Sequence, residues 1–143
     1  MGDEEGWGDV SVEHGVAEPA AGRGIQSYED LRVWQNAITL CESVYELTRS
    51  FPEGERFGLT SQLRRAAVSV PSNIAEGWGR GTRADYVRFL RVARGSLFEV
   101  RTQLIIARRV GLCSSEATDA PLRVVDDVRR LLQGLIRSLT SEA

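Results

Sequence analysis

The sequence predicts an all-α protein organised around one four-helix core. From Tyr28 almost to the last residue, apolar side chains recur at alternating spacings of three and four. Breaks at Phe51-Pro52-Glu53-Gly54, at residues 77–81 and at Gly111 cut that run into four segments. A chain of 143 residues, 42% hydrophobic and 27% charged, has the size and composition of one globular domain.

The first helix is predicted over residues 28–50. It carries two apolar seams, one of Leu31, Trp34, Ile38, Cys41 and Tyr45, the other of Val33, Ala37, Leu40, Val44, Leu47 and Phe51. The second helix, residues 57–77, repeats Leu59, Leu63, Ala66, Val70, Ile74 and Gly77, a register that runs unbroken through Pro71. Continuity predicts one helix bent at the proline, which removes the hydrogen bond to the Ala67 carbonyl at a cost of about 3 kcal/mol. The alternative is a helix ending near Val70, with Ser72 capping a short new one. Asn73 and Glu76 flank this point, as polar locks or as binding residues.

Residues 77–81 form a G-x-G-x-G string. Phosphate-cradling loops need such glycines, but this one follows a helix instead of a strand and lacks the Walker lysine, so it reads as a turn between helices. Thr82 and Asp85 then resemble a capping box opening the third helix, residues 82–110. Its core positions are Tyr86, Phe89, Leu90, Ala93, Leu97, Val100, Leu104 and Ala107. A second stripe, about a right angle away at 100° per residue, interleaves Val87, Phe98 and Ile105 with Arg94, Arg101 and Arg108. A four-helix core uses one face of each helix, so Val87, Phe98 and Ile105 are expected at an interface with another copy; the alternative is a bundle splayed enough to cover them. Ser114-Ser115-Glu116 opens the fourth helix, which runs to about Leu139 with Leu122, Val125, Val128, Leu132, Leu135 and Leu139 inward. Pro121 marks an alternative start near Ala120.

The net charge of −2 conceals an asymmetry. Residues 1–26 hold six acids and one base, net −5, and are rich in Gly, Ala, Glu and Asp without apolar periodicity, so they are expected to be a disordered tail before a bundle domain at residues 27–143. Residues 56–109 hold eleven arginines against Glu76, Asp85 and Glu99, net +8. All 18 bases are arginine, which reflects either bidentate phosphate or carboxylate recognition or coding bias.

Several functions find no support. No run approaches the ~18 apolar residues of a membrane span, and the acidic N-terminus is unlike a secretory signal, so a cytoplasmic protein with no membrane partner is expected. Cys41 and Cys113 read as two buried thiols. The one histidine, His14, lies in the tail, and neither a Glu-x-x-His di-iron pattern nor a placed base for Ser or Cys catalysis is present. Glu76 and Glu99 are better explained as arginine partners than as a catalytic pair. No enzyme activity, cofactor or metal is expected.

The strings YEDLRVWQ at residues 28–35, FGLTSQLRRAAVSVPSNIAEG at 57–77, GSL at 95–97 and TQL at 102–104 closely resemble the four-helix bundle proteins encoded by intervening sequences of bacterial 23S ribosomal RNA genes. The resemblance implies an antiparallel up-and-down bundle that assembles into a homo-oligomeric ring, typically a pentamer, with positive surface. Similar proteins include the accessory variability determinants of diversity-generating retroelements, which bind a reverse transcriptase and its RNA. The acidic tail and the absence of lysine depart from the family pattern; the tail is either a simple extension or a polyanion mimic covering the basic surface. The expected function is therefore non-enzymatic binding of RNA or DNA backbones by Arg64, Arg65, Arg80, Arg83, Arg88, Arg91, Arg94, Arg101, Arg108 and Arg109. The alternative is a scaffold or accessory subunit for a protein such as a reverse transcriptase.

Overall fold

A computed structural model describes residues 24–141. Most of the expected tail, with Trp7 and His14, lies outside the described residues. Ile25, by contrast, already packs on the core.

Four long helices follow in order: α1 (Arg32–Thr48), α2 (Leu59–Gly79), α3 (Arg83–Arg109) and α4 (Ser115–Thr140). Each packs against its neighbours in the chain, and α4 closes on α1. With three short connections this is the up-and-down four-helix bundle. Its core is aliphatic, with Leu40, Leu63, Ile74, Leu90, Leu97, Leu104 and Leu132 sealed from solvent and Tyr86 the one aromatic among the fully buried large side chains of the described residues.

The helix ends differ from expectation where local capping intervenes. α1 starts at Arg32, not Tyr28, because Ser27 and Asp30 form a reciprocal capping box around a short 3-10 turn (Tyr28–Asp30), after which Leu31 is extended. α2 starts two residues later than expected, where the Glu55 carboxylate accepts from the Leu59 amide. At the start of α3, Thr82 accepts from the Asp85 amide at 3.3 Å. At its end, Gly111 (φ 86°) lets Leu112 donate to the Ala107 carbonyl at 2.9 Å, a Schellman closure. α4 begins at Ser115 under a Ser114 cap, with Pro121 inside the helix.

Only one of the two seams of α1 is core. Val33, Ala37, Leu40 and Val44 are sealed, whereas Trp34, Ile38 and Cys41 are half-buried and Tyr45 is exposed. The half-buried seam still has work to do beside α2. A single helix runs through Pro71, and the Ala67 carbonyl that the proline leaves without its usual donor accepts instead from the Cys41 thiol, at 3.2 Å. Burial, with a smaller contribution from the Glu42 charge, pushes that thiol up to about 11, so it stays a donor at neutral pH. Cys41 and Cys113 are both free, and half-buried where full burial was expected.

α2 and α3 approach each other closely near their turn. A Cβ on Gly77 would lie 2.8 Å from Phe89 Cβ, so glycine is what lets the two backbones meet there. Farther along, the Ser69 and Ser96 hydroxyls bond at 2.8 Å, and Asn73 donates to both the hydroxyl and the carbonyl of Ser69. Asn73 is thus a lock within α2 that holds Ser69, the residue that makes the bond across to α3, and Glu76 pairs with Arg80 at 2.8 Å.

Candidate nucleic-acid interface

An arginine held by its own chain is explained by the fold; one without an internal partner needs another reason to be there. Arg64 lies between α1 and α2, donating to Thr48 Oγ1 at 2.8 Å with its guanidinium 4.4 Å from the Tyr45 ring centre. Arg80 and Arg88 both stack on Phe89, at 5.0 and 4.6 Å, and pair with Glu76 and Asp85. Phe89, expected in the core, is accordingly half-buried beneath two guanidinium groups. Arg101 reaches Asp126 of α4 at 3.8 Å.

Arg108 and Arg109 have no carboxylate within 4 Å among the described residues, but they occupy the last turn of α3, where the helix dipole favours positive charge. Arg65, Arg83, Arg91 and Arg94 are left. Arg65 stands apart, on a polar groove between α2 and α3.

The other three form a patch on α3. Arg83 and Arg94, eleven residues apart, fall within about 20° of each other around the helix and about 16 Å apart along it. Arg91 lies one turn before Arg94, and Phe98, 41% exposed, one turn after. Arg83 is the first residue of the helix, and all three arginines lie in its first twelve positions. Positive charge at Arg83 opposes the dipole, at about 0.3–1 kcal/mol for a first-turn residue, whereas Arg91 and Arg94 lie beyond the turn over which that effect acts. Asp85 is the only acid in that first turn, and Arg88 already takes it. An anion held outside the chain would offset this unfavourable placement.

Of the three residues expected at an apolar interface, Val87 is corrected: it is not available to one. Val87 is 7% exposed, buried by its own bundle, and Ile105 is half-buried; α4 packs along this flank, as the Arg101 contact with Asp126 shows. Phe98 alone of the three stays exposed. Along α3, the exposed apolar residues that sequence reasoning missed are Val92 and Ile106 of the helix and its C-cap residue Val110, at 47, 43 and 64%. Together with Ser96, Glu99 and Gln103 they repeat at spacings of 4, 3, 4, 3 and 4, a heptad stripe that was legible in the sequence. Its polar middle lines a groove of about 490 Å³ against Phe57, Ser61, Arg65 and Ser69 of the facing segment. Gln103 Oε1 is buried there without a hydrogen-bond partner.

Among the described residues, no helix is long and apolar enough to cross a membrane, and no group of three or more His, Cys, Asp or Glu is placed to hold a metal ion.

A model of the family described as 23S rRNA-intervening sequence protein matches residues 29–134, and the chain belongs to that family. It is also similar to a crystal structure of a protein of unknown function from the S23 ribosomal protein family of Bacteroides thetaiotaomicron. That likeness has 20% identity and a TM-score of 0.68, and covers 73% of this chain and 95% of the other. At that identity it speaks for the fold alone. No curated protein matches.

Proposed function

We propose that this family member is a non-enzymatic nucleic-acid-binding protein that holds RNA or DNA backbones on the Arg83, Arg91 and Arg94 patch and acts as a homo-oligomer, with a pentamer the expected form. The observation that carries the reading is three arginines without internal partners along one side of α3, the first of them, Arg83, at the positive end of the helix, where stability alone disfavours it. Guanidinium groups recognise phosphate by paired donors. Phe98 beside Arg94 offers a face on which an unpaired base can stack, a contribution of about 1–3 kcal/mol per base in single-strand binders. Arg101, 45% exposed at its side chain, extends the same flank, and Arg65, Arg108 and Arg109 add long-range attraction.

The heptad stripe of Val92, Ile106 and Val110 favours a protein contact on the opposite flank of α3. A second copy fits the proposed homo-oligomer. A scaffold for a polymerase-type partner such as a reverse transcriptase is the second reading, supported by the same stripe.

The test is fluorescence anisotropy with a labelled single-stranded RNA and a DNA duplex across a salt series. For duplex DNA, the log–log slope is expected at about −0.9 per phosphate neutralised, so the triple variant R83Q/R91Q/R94Q loses about three phosphates' worth, roughly 2.7 of slope. R108Q/R109Q, at the far end of α3, should change affinity less. Binding that ignores salt, or a triple variant that binds like the parent, overturns the reading. Light scattering on the same samples reports the mass; a monomer with and without RNA would overturn the oligomeric part.

A further inference from the structure

The Arg83–Arg94 patch has a polyanion tethered beside it. Residues 1–23 carry Asp3, Glu4, Glu5, Asp9, Glu13 and Glu18 against Arg23 alone, net −5. We propose that this segment docks on the Arg83, Arg91 and Arg94 patch of its own chain and competes there with nucleic acid. The inference rests on the proposed anion-binding role of the same arginines.

Placement supports it as well as charge. The chain enters the bundle at a fixed point: the Gln26 and Ser27 amides both donate to the Asp30 carboxylate, at 2.8 and 3.2 Å, and Ile25 packs on the core. The 3-10 turn at Tyr28–Asp30 touches α2 as well as α1. In an up-and-down bundle the start of α1, the end of α2 and the start of α3 share one end, so residue 24 leaves the bundle at the end that carries Arg83. Arg94 lies only about 16 Å farther along α3. A 23-residue segment spans about 76–83 Å when fully extended, so Glu18, Glu13 and Asp9 all reach the patch with chain to spare.

The described residues do not compete for these arginines. Glu76 and Asp85, the acids of this end of α2 and α3, are already paired with Arg80 and Arg88. Arg83, Arg91 and Arg94 have no carboxylate within 4 Å among the described residues. Tethering supplies an effective concentration on the order of 1 mM, so a segment with an intrinsic Kd of about 0.1–1 mM would weaken nucleic-acid binding roughly 2- to 10-fold.

The experiment compares the full chain with a full-length variant in which the tail is neutralised, D3N/E4Q/E5Q/D9N/E13Q/E18Q. Arginine side-chain Nε–H resonances are recorded by NMR without nucleic acid, and binding of a labelled single-stranded RNA is measured in parallel. Docking predicts that the Arg83, Arg91 and Arg94 signals differ between the two chains at low salt and converge at high salt. The Arg108 and Arg109 signals should stay put, and the neutralised chain should bind RNA about 2- to 10-fold more tightly. Identical signals in both chains at low salt overturn docking, whatever the RNA affinities. Differences that grow with protein concentration move the segment onto a neighbouring copy and overturn the intrachain form. If the signals differ but neither chain binds RNA, docking stands and the nucleic-acid reading fails.

Discussion

The same substitution, glycine to alanine, should have opposite effects at Gly77 and Gly95. At Gly77 the new methyl would lie 2.8 Å from Phe89 Cβ and 3.2 Å from both the Tyr86 carbonyl oxygen and its ring. Carbon atoms settle at about 3.5–4.0 Å, so the closest contact is short by roughly 0.7 Å or more. Phe89 Cβ and the Tyr86 carbonyl are fixed to the α3 backbone and have no rotamer with which to give way, so α2 and α3 must separate near their turn. Overpacking of this kind costs about 1–3 kcal/mol, and the better helix propensity of alanine returns up to about 1 kcal/mol. The net expectation for G77A is a loss of about 1–2 kcal/mol. At Gly95, mid-helix on the exposed side of α3, a Cβ meets nothing within 4 Å, and G95A should gain about 0.5–1 kcal/mol from propensity alone.

Thermal unfolding followed by circular dichroism resolves the two. For a domain of this size 1 kcal/mol moves Tm by roughly 3–6 °C, so G77A should melt about 3–12 °C below the parent and G95A a few degrees above it. A G77A protein that melts at or above the parent would refute the close approach of α2 and α3. A destabilised G95A would refute the open surface around that residue.

The contact between Cys41 and the Ala67 carbonyl gives two further expectations. C41A leaves a carbonyl without a donor and should cost about 1 kcal/mol, but much less in a P71A background, where the restored amide takes the same carbonyl. Urea unfolding of the four proteins measures the coupling, and equal costs in both backgrounds would contradict it. Because the folded Cys41 thiol titrates at about 11 against 9.0 for a free thiol, folding favours its protonated form. The stability it contributes is complete below pH 9 and is lost as pH rises through 11, so the parent should weaken over that interval more steeply than C41A. Parallel pH profiles of the two proteins would count against this account.

The sequence alone made the backbone course of the bundle legible because the relevant signals are local. The unbroken register through Pro71, the Thr82 cap and Gly111 each act within a turn or two of chain, and each reappears in the structure, although Asp85 pairs with Arg88 where the capping box expected it to reach back. The start of α1 was missed for an equally local reason, a competing capping box at Ser27 and Asp30 that ends one short turn before the next helix begins. Lateral neighbours are a different matter. A wheel at 100° per residue correctly separates Val87 and Ile105 from the core stripe, yet it is blind to which flank of α3 the fourth helix covers. α4 packs beside that flank, so Val87 is core, Phe98 alone of the predicted stripe stays exposed, and the other exposed apolar residues are Val92, Ile106 and Val110.

The arginines follow the same logic, because a guanidinium is claimed by whatever lies within about 4 Å across helices, and sequence spacing carries little of that information. Counting bases over residues 56–109 finds the charge but ranks Arg64, folded onto Tyr45 and Thr48, equally with Arg94, which has no carboxylate to meet among the described residues. Position along the helix makes a further distinction that composition erases. Arg108 and Arg109 complement the negative end of the α3 dipole and contribute to stability with no ligand at all, while Arg83 stands at the positive end, where it opposes folding until an anion arrives. Affinity for a phosphate backbone and folding stability therefore pull in opposite directions at Arg83. R83Q should raise Tm slightly in the absence of nucleic acid and weaken binding in its presence, a pairing of effects that a purely structural arginine would not produce.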